Sequence, residues 1–266
     1  MKRINLLIIS ILSLYLISCG DSDESANSLF SIEITQNSDK LTINQPLIIK
    51  LNSLKNWNIE AVTYSLQDQK IEDTEGKSEF EWDFKGKKVG QHILKADIQS
   101  KGKTYSLQST VLLLPDKAPK VYNYKILETY PHDIEAFTQG LEFHGDYLYE
   151  STGLNGKSSL RKTDVETGEV LQKVDLKTEY FGEGLTIMNG KIYQLTWQNN
   201  LGIIYDLETL EQERTFSYNQ SKEGWGICND GEYLYKTDGS ERIWKLDPES
   251  FNEIDYVQAY AHTGRV

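Results

Sequence analysis

Three residues occupy one recurring position and could act together: Gln139, Glu183 and Trp225. Each directly precedes a glycine, in Gln139-Gly140-Leu141, Glu183-Gly184-Leu185 and Trp225-Gly226-Ile227, at spacings of 44 and 42 residues. Two residues earlier stand Phe137, Phe181 and Glu223. The glycine and the apolar residue after it repeat, while the neighbour differs each time. A purely structural repeat would favour the same residue throughout; a shared site needs a different group from each unit. A carboxyl can move protons, an amide can hold polar groups, and rings can exclude water. The same pattern is also compatible with Glu183 as a solvated carboxylate in a turn, and the pattern by itself leaves both open.

What must position these residues is legible from two further series. Tyrosines recur at Tyr149, Tyr193 and Tyr235, 44 and 42 apart, and aspartates at Asp164, Asp206 and Asp247, 42 and 41 apart, each opening a turn. Each unit reads as a Gly-Leu strand, a turn, a strand with the tyrosine, an apolar strand ending in Asp, a turn and a fourth strand. A period of about 42 residues with four strands is that of a β-propeller blade, and blades place equivalent positions in rings around an axis. Gln139, Glu183 and Trp225 are then expected at the channel mouth beside Phe137 and Phe181.

The remainder of the chain divides in order. Lys2 and Arg3 precede an apolar run, Leu6–Ile17, short for a bilayer span, and Leu16-Ile17-Ser18-Cys19 resembles a bacterial lipobox. Residues 1–19 are read as a lipoprotein signal with lipidation at Cys19, so the protein is expected in the cell envelope, anchored to the membrane. Residues 20–28 read as a solvated tether. From 29 to 115 about seven alternating segments, FSIEITQ to TYSLQSTVLLL, suggest an immunoglobulin-like sandwich. Pro115 and Pro119 flank a joint, and 120–266 is the propeller portion. The predicted fold class is therefore all-β: sandwich, then incomplete propeller. A net charge of −12 argues against nucleic acid. Cys228, in the apolar stretch Trp225-Gly226-Ile227-Cys228, reads as core. The histidines His92, His132, His144 and His262 show no metal-ligand spacing, and Ser151 and Thr152 have no recurring histidine to activate them.

Phe137-Thr138-Gln139-Gly140-Leu141, Glu150-Ser151-Thr152-Gly153, Tyr180-Phe181-Gly182-Glu183-Gly184-Leu185, Gln194-Leu195-Thr196-Trp197, Gly224-Trp225-Gly226 and Thr237-Asp238-Gly239-Ser240 together resemble the glutamine cyclotransferase family of plant and bacterial type. The resemblance covers about Tyr130 to Val266 and implies a five-bladed propeller. It implies conversion of an N-terminal glutamine of a peptide or protein to pyroglutamate with release of ammonia, with no cofactor or metal and with a monomeric enzyme. It also implies Glu183 as the acid/base. Phe137, Phe181, Trp197 and Trp225 would form an apolar box around it, and Gln139 would hydrogen-bond substrate.

Residues 116–266 supply about three and a half blades at the observed period, where five need roughly 210 residues. The strand Val121–Leu127 is expected to close the ring on a last blade that these residues do not include. The chain is accordingly expected to be a portion of a longer protein, with little activity of its own. The alternative function is a non-catalytic, surface-anchored propeller that binds peptides or glycans.

Overall fold

The computed structural model describes residues 25–36, 40–71, 78–84 and 86–265. The described chain is all-β apart from one helical turn, Ala26–Leu29. Cys19 and the apolar run before it lie outside the described residues.

The first seven strands make two antiparallel sheets. Strands β1 (Phe30–Thr35), β2 (Leu47–Ser53) and β5 (Glu79–Trp82) pair in the order β1-β2-β5. Strands β3 (Ala61–Leu66), β4 (Gln69–Lys70), β6 (Gly90–Ser100) and β7 (Lys103–Leu113) pair in the order β4-β3-β6-β7. Alternation explains the burial, because successive side chains leave a strand on opposite faces. Val62, Tyr64 and Leu66 of β3 and Leu94, Ala96 and Ile98 of β6 meet Leu47, Ile49 and Leu51 of β2 in one core. Residues 26–28, expected in the tether, instead lead into this core: Ala26 packs against it and Leu29 is fully buried.

The stretch from the proline joint to Phe137 forms no strand. The expected strand Val121–Leu127 is absent, and Val121 and Tyr124 are 88% and 90% exposed. A strand gains its backbone hydrogen bonds only from a neighbour, and no described strand pairs with this segment.

Three four-stranded antiparallel meanders follow. The first comprises β8 (Thr138–His144), β9 (Tyr147–Thr152), β10 (Ser159–Asp164) and β11 (Val170–Asp175). The second comprises β12 (Gly182–Met188), β13 (Lys191–Thr196), β14 (Gly202–Asp206) and β15 (Gln212–Phe216). The third comprises β16 (Ile227–Asn229), β17 (Leu234–Thr237), β18 (Arg242–Leu246) and β19 (Glu253–Gln258). A short hairpin, β20 (Tyr260–Ala261) with β21 (Gly264–Arg265), comes last.

The three sequence series acquire physical causes. The recurring aspartates cap turns: Asp164, Asp206 and Asp247 accept through Oδ1 from the backbone N–H of Thr167, Thr209 and Ser250, each at 2.8 Å. The recurring tyrosines fill the seams between sheets. Tyr149 packs with Leu185, Ile187 and Ile192 of the second sheet, and Tyr193 with Ile227, Leu234 and Trp244 of the third. The recurring glycines let the innermost strands touch. A Cβ on Gly140 would lie 2.6 Å from the Leu185 nitrogen, and one on Gly184 2.6 Å from the Trp225 oxygen and 2.8 Å from the Ile227 nitrogen. The Gly184 N–H donates to the Trp225 carbonyl at 2.7 Å, so β12 bonds directly to the next sheet.

Gly184→Ala must therefore displace backbone and is expected to destabilise the fold by about 3 kcal/mol in urea unfolding. Gly226→Ala meets only the Thr237 hydroxyl, at 3.2 Å. It should cost less than half as much, and equal losses would refute this role for the glycine.

Candidate active site

The side chains singled out in the sequence come from the ends of the innermost strands, and two local irregularities aim them. The β8–β9 register shifts between Thr138 and Gly140, and the β12–β13 register between Gly182 and Leu185. Gln139 and Glu183 thus sit in β-bulges, which turn a side chain out of the regular alternation. Trp225 precedes β16 but is still bonded to β17, its N–H donating to the Thr237 carbonyl at 3.0 Å.

Three of the aromatic residues singled out form a connected series. Phe137 and Phe181 meet edge to face with ring centroids 6.0 Å apart, and Phe181 and Trp197 likewise at 5.7 Å. Two glycines make room for the rings. A Cβ on Gly153 would run into Phe181 and Phe137, and one on Gly239 would reach the Trp225 indole at 2.7 Å. Phe137 and Trp225 remain 48% and 45% exposed, so the mouth is open to ligand. Two half-open cavities, of about 380 and 350 Å³, lie away from these residues, beside Lys88 and Tyr256 and beside Tyr130 and Phe143.

Glu223 shares the recurring offset of Phe137 and Phe181, and the structure puts it at the centre of the polar contacts. Its Oε2 accepts from the indole N–H of Trp197 at 3.0 Å and from that of Trp225 at 2.9 Å. Its Oε1 accepts from the Gln198 amide at 3.2 Å. The bond from Trp225, supported by those from Gln198 and Trp197, holds the Glu223 carboxyl below the usual carboxylate range. The signal in the sequence was its position, an acid at the offset where the other two repeats carry phenylalanine.

Glu183 shows the opposite behaviour. Burial first, and the Glu223 charge second, push it up to about 7. Two carboxyls of one site are thus driven apart, one kept ionised and the other able to hold or release a proton near neutrality.

A buried network supports the segment that carries Glu223 and Trp225. Lys236 and Glu253 are fully buried and paired at 3.2 Å. The Lys236 ammonium donates to the Glu223 carbonyl at 2.8 Å and to the Ser221 hydroxyl, and it lies 4.1 Å from the Tyr218 ring centroid. The Glu253 carboxylate accepts from the backbone N–H of Gln220 and Ser221, at 2.6 and 2.9 Å. Burial opposes ionisation of Glu253, but the Ser221 and Gln220 bonds and the Lys236 charge hold its carboxyl low.

Other expectations resolve differently. Cys228, read as core, is exposed on β16; its thiol is pushed up by burial and by the Glu142 and Asp230 charges, so it is neither packing residue nor activated nucleophile. The error came from an apolar run read as wholly buried, although alternate side chains of β16 face outward. Ser151 and Thr152 are buried in hydrogen bonds with Gln194 and Ser159. His132 bonds to Glu150 at 2.9 Å, and Trp244 is buried with its N–H on Asp238 at 2.8 Å.

Residues 98–266 match the sequence model of the family described as glutamine cyclotransferase. The glutaminyl-peptide cyclotransferase of Arabidopsis thaliana is 41% identical over 143 residues, 53% of this chain and 44% of that protein. The crystal structure of Myxococcus xanthus glutaminyl cyclase is 33% identical over 51% of this chain and 56% of that one, with a TM-score of 0.46. The structure of Kuenenia stuttgartiensis hydrazine synthase matches 52% of this chain and 40% of that one at 14% identity and a TM-score of 0.38. The chain thus spans about half the length of these relatives.

The raised Glu183 carboxyl has a consequence for stability that needs no substrate. Its ordinary value is 4.5, so between there and about 7 the native state holds a proton that the unfolded chain has lost. Stability must fall as pH rises through that window. Glu183→Gln is expected to melt about 2–4 °C above the parent at pH 8, with the gap closing at pH 4. A gap that widens on acidification would reverse the sign of this argument.

Proposed function

We propose that this chain, which belongs to the glutamine cyclotransferase family, carries the acid–base part of a site that cyclises N-terminal glutamine to pyroglutamate. The observation that bears most weight is Glu183, poised near neutrality in an aromatic mouth beside an ionised Glu223. In this reaction the substrate's α-nitrogen bonds to its own γ-carbonyl carbon, and the bond from that carbon to the amide nitrogen breaks. The nucleophile is tethered to the electrophile, so the enzyme needs little orientation entropy. What remains is a proton to move, from the attacking amine to the departing nitrogen, which leaves as ammonia. Glu183 takes and returns that proton. The rings of Phe137, Phe181, Trp197 and Trp225 hold the glutamine side chain and keep water away, and Gln139 binds its polar atoms.

The finer architecture belongs to the same reading. The three meanders are blades of a five-bladed ring, and Leu141 and Phe143 of β8, 53% and 63% exposed, are a face fit for another blade. The facing orders β1-β2-β5 and β4-β3-β6-β7 suit an immunoglobulin-like module over 29–115, with the propeller over 120–266. A lipid on Cys19 would tether both to the envelope membrane, and the enzyme would work as a monomer on peptide or protein ends.

In a chain that carries all five proposed blades, Glu183→Gln is expected to reduce ammonia release from glutaminyl peptides by about 10²–10⁴-fold, with the native circular-dichroism spectrum retained. In the parent, kcat/KM should rise with pH through about 7 as Glu183 ionises, and should persist in EDTA. Full turnover by Glu183→Gln would refute Glu183 as the acid/base, and a parent that binds glutaminyl peptides without releasing ammonia would favour a binding module. Separately, Cys19→Ser should move the expressed protein from the detergent-extracted membrane fraction to the soluble one. Unchanged membrane retention would sink the anchor.

A further inference from the structure

Glu223 is not needed as a proton carrier in the reaction above, yet no other side chain of the mouth makes as many polar contacts. Its carboxylate bridges two sheets: Trp197 follows β13 of the second, and Trp225 leads into β16 of the third. Both indoles donate to the same oxygen, Oε2, and Gln198 occupies Oε1. The backbone beneath is fixed as well. The Gly224 N–H donates to the Trp197 carbonyl at 3.0 Å, and the Glu223 carbonyl accepts from the buried Lys236. A carboxylate so held has no freedom to swing away from Glu183.

We infer that Glu223 is a positioning residue of this site: a fixed negative charge that clamps the two indoles and obliges the site's mobile proton to reside on Glu183. The inference rests on the cyclotransferase reading of Glu183, and it adds a partner that makes a single carboxyl sufficient. A half-buried carboxyl with a like charge acting on it does not readily ionise, and Glu223 supplies that charge from a more exposed position. Burial acts first on Glu183, and the three N–H donors, all of which point at Glu223, keep the charge there. A glutamine there would keep the shape and one good acceptor but lose the charge.

Among the described residues, few titratable groups act on Glu183. Glu223 acts on it from the segment before β16, and the Tyr218 hydroxyl lies within its field from the segment after β15. Tyr218 is itself held by the carbonyls of Leu201 and Thr196, at 2.8 and 3.3 Å. Behind them, Asp238 acts on Glu223 and on Lys236, and Glu253 neutralises Lys236. Of these, only Glu223 is a carboxylate acting directly on Glu183.

The test is a pH titration of tryptophan fluorescence in the full chain, because Trp197 and Trp225 both bond to Glu223, the carboxylate that acts on Glu183. The parent should show a midpoint near 7 that disappears in Glu183→Gln. In Glu223→Gln the midpoint should fall by roughly one pH unit, as expected for loss of one nearby like charge. Glu223→Asp keeps the charge, so its midpoint should remain with that of the parent while its emission shifts to the red as the clamp loosens. An unmoved midpoint in Glu223→Gln, or an equal fall in Glu223→Asp, overturns the inference. If Glu223→Gln lacks the native circular-dichroism spectrum, the comparison of Glu223→Asp with the parent decides alone.

Ammonia release measured in parallel separates this inference from the reading it rests on. Absence of turnover in a parent that carries all five proposed blades, with the midpoints as expected, would refute the cyclotransferase and leave the coupling of the two carboxyls intact. Turnover whose pH profile ignores Glu223→Gln would refute the coupling and leave the enzyme.

Discussion

The described propeller-like part depends on backbone meeting backbone at one repeated point. Innermost strands approach so closely at Gly140 and Gly184 that a single methyl would collide with the next strand's main chain. This is a constraint of distance rather than of φ, since neither glycine adopts a left-handed backbone. Close approach brings the residue before each glycine to the same small circle. Gln139, Glu183 and Trp225 are neighbours because their glycines are. The bulges add the last rotation, aiming the first two out of the regular pleat.

How much of this was visible in the residues follows from what each pattern encodes. Periodicity reports geometry that every unit shares, so the turns at Asp164, Asp206 and Asp247 and the meanders between them could be anticipated. Divergence at a shared offset singled out Gln139, Glu183 and Trp225, and the six expected site residues are all half-buried or exposed. What could not be read was pairwise. Nothing in the order of residues says that two indoles from different sheets would choose the same carboxylate oxygen, or that Lys236 would be buried against Glu253. Cys228 misled because an apolar run in a short strand has no visible phase. Val121–Leu127 forms no strand here because a strand is a property of two segments, and its own alternation describes one of them.

The site combines features that favour opposite things. Aromatic burial would protonate any carboxyl, and a ring of N–H donors would ionise any carboxyl. Separating the two influences onto Glu183 and Glu223 gives one group a proton to trade and the other none. The Lys236–Glu253 pair lies below them, where removal of either partner would leave an uncompensated charge in a dry interior. Its contacts with the Glu223 carbonyl and the Ser221 backbone show where that rigidity is used.

The placement of the cores between sheets, with Tyr149 and Tyr193 at the seams, also bears on the order in which the site comes into being. Each meander is made of neighbouring hairpins and can pair early, since its loops are short and cheap to close. The aromatic mouth is assembled from three of them, so Glu183 stays wet until they dock. Its proton affinity is therefore set late, and a chain whose sheets have formed but not yet met carries an ordinary glutamate at position 183.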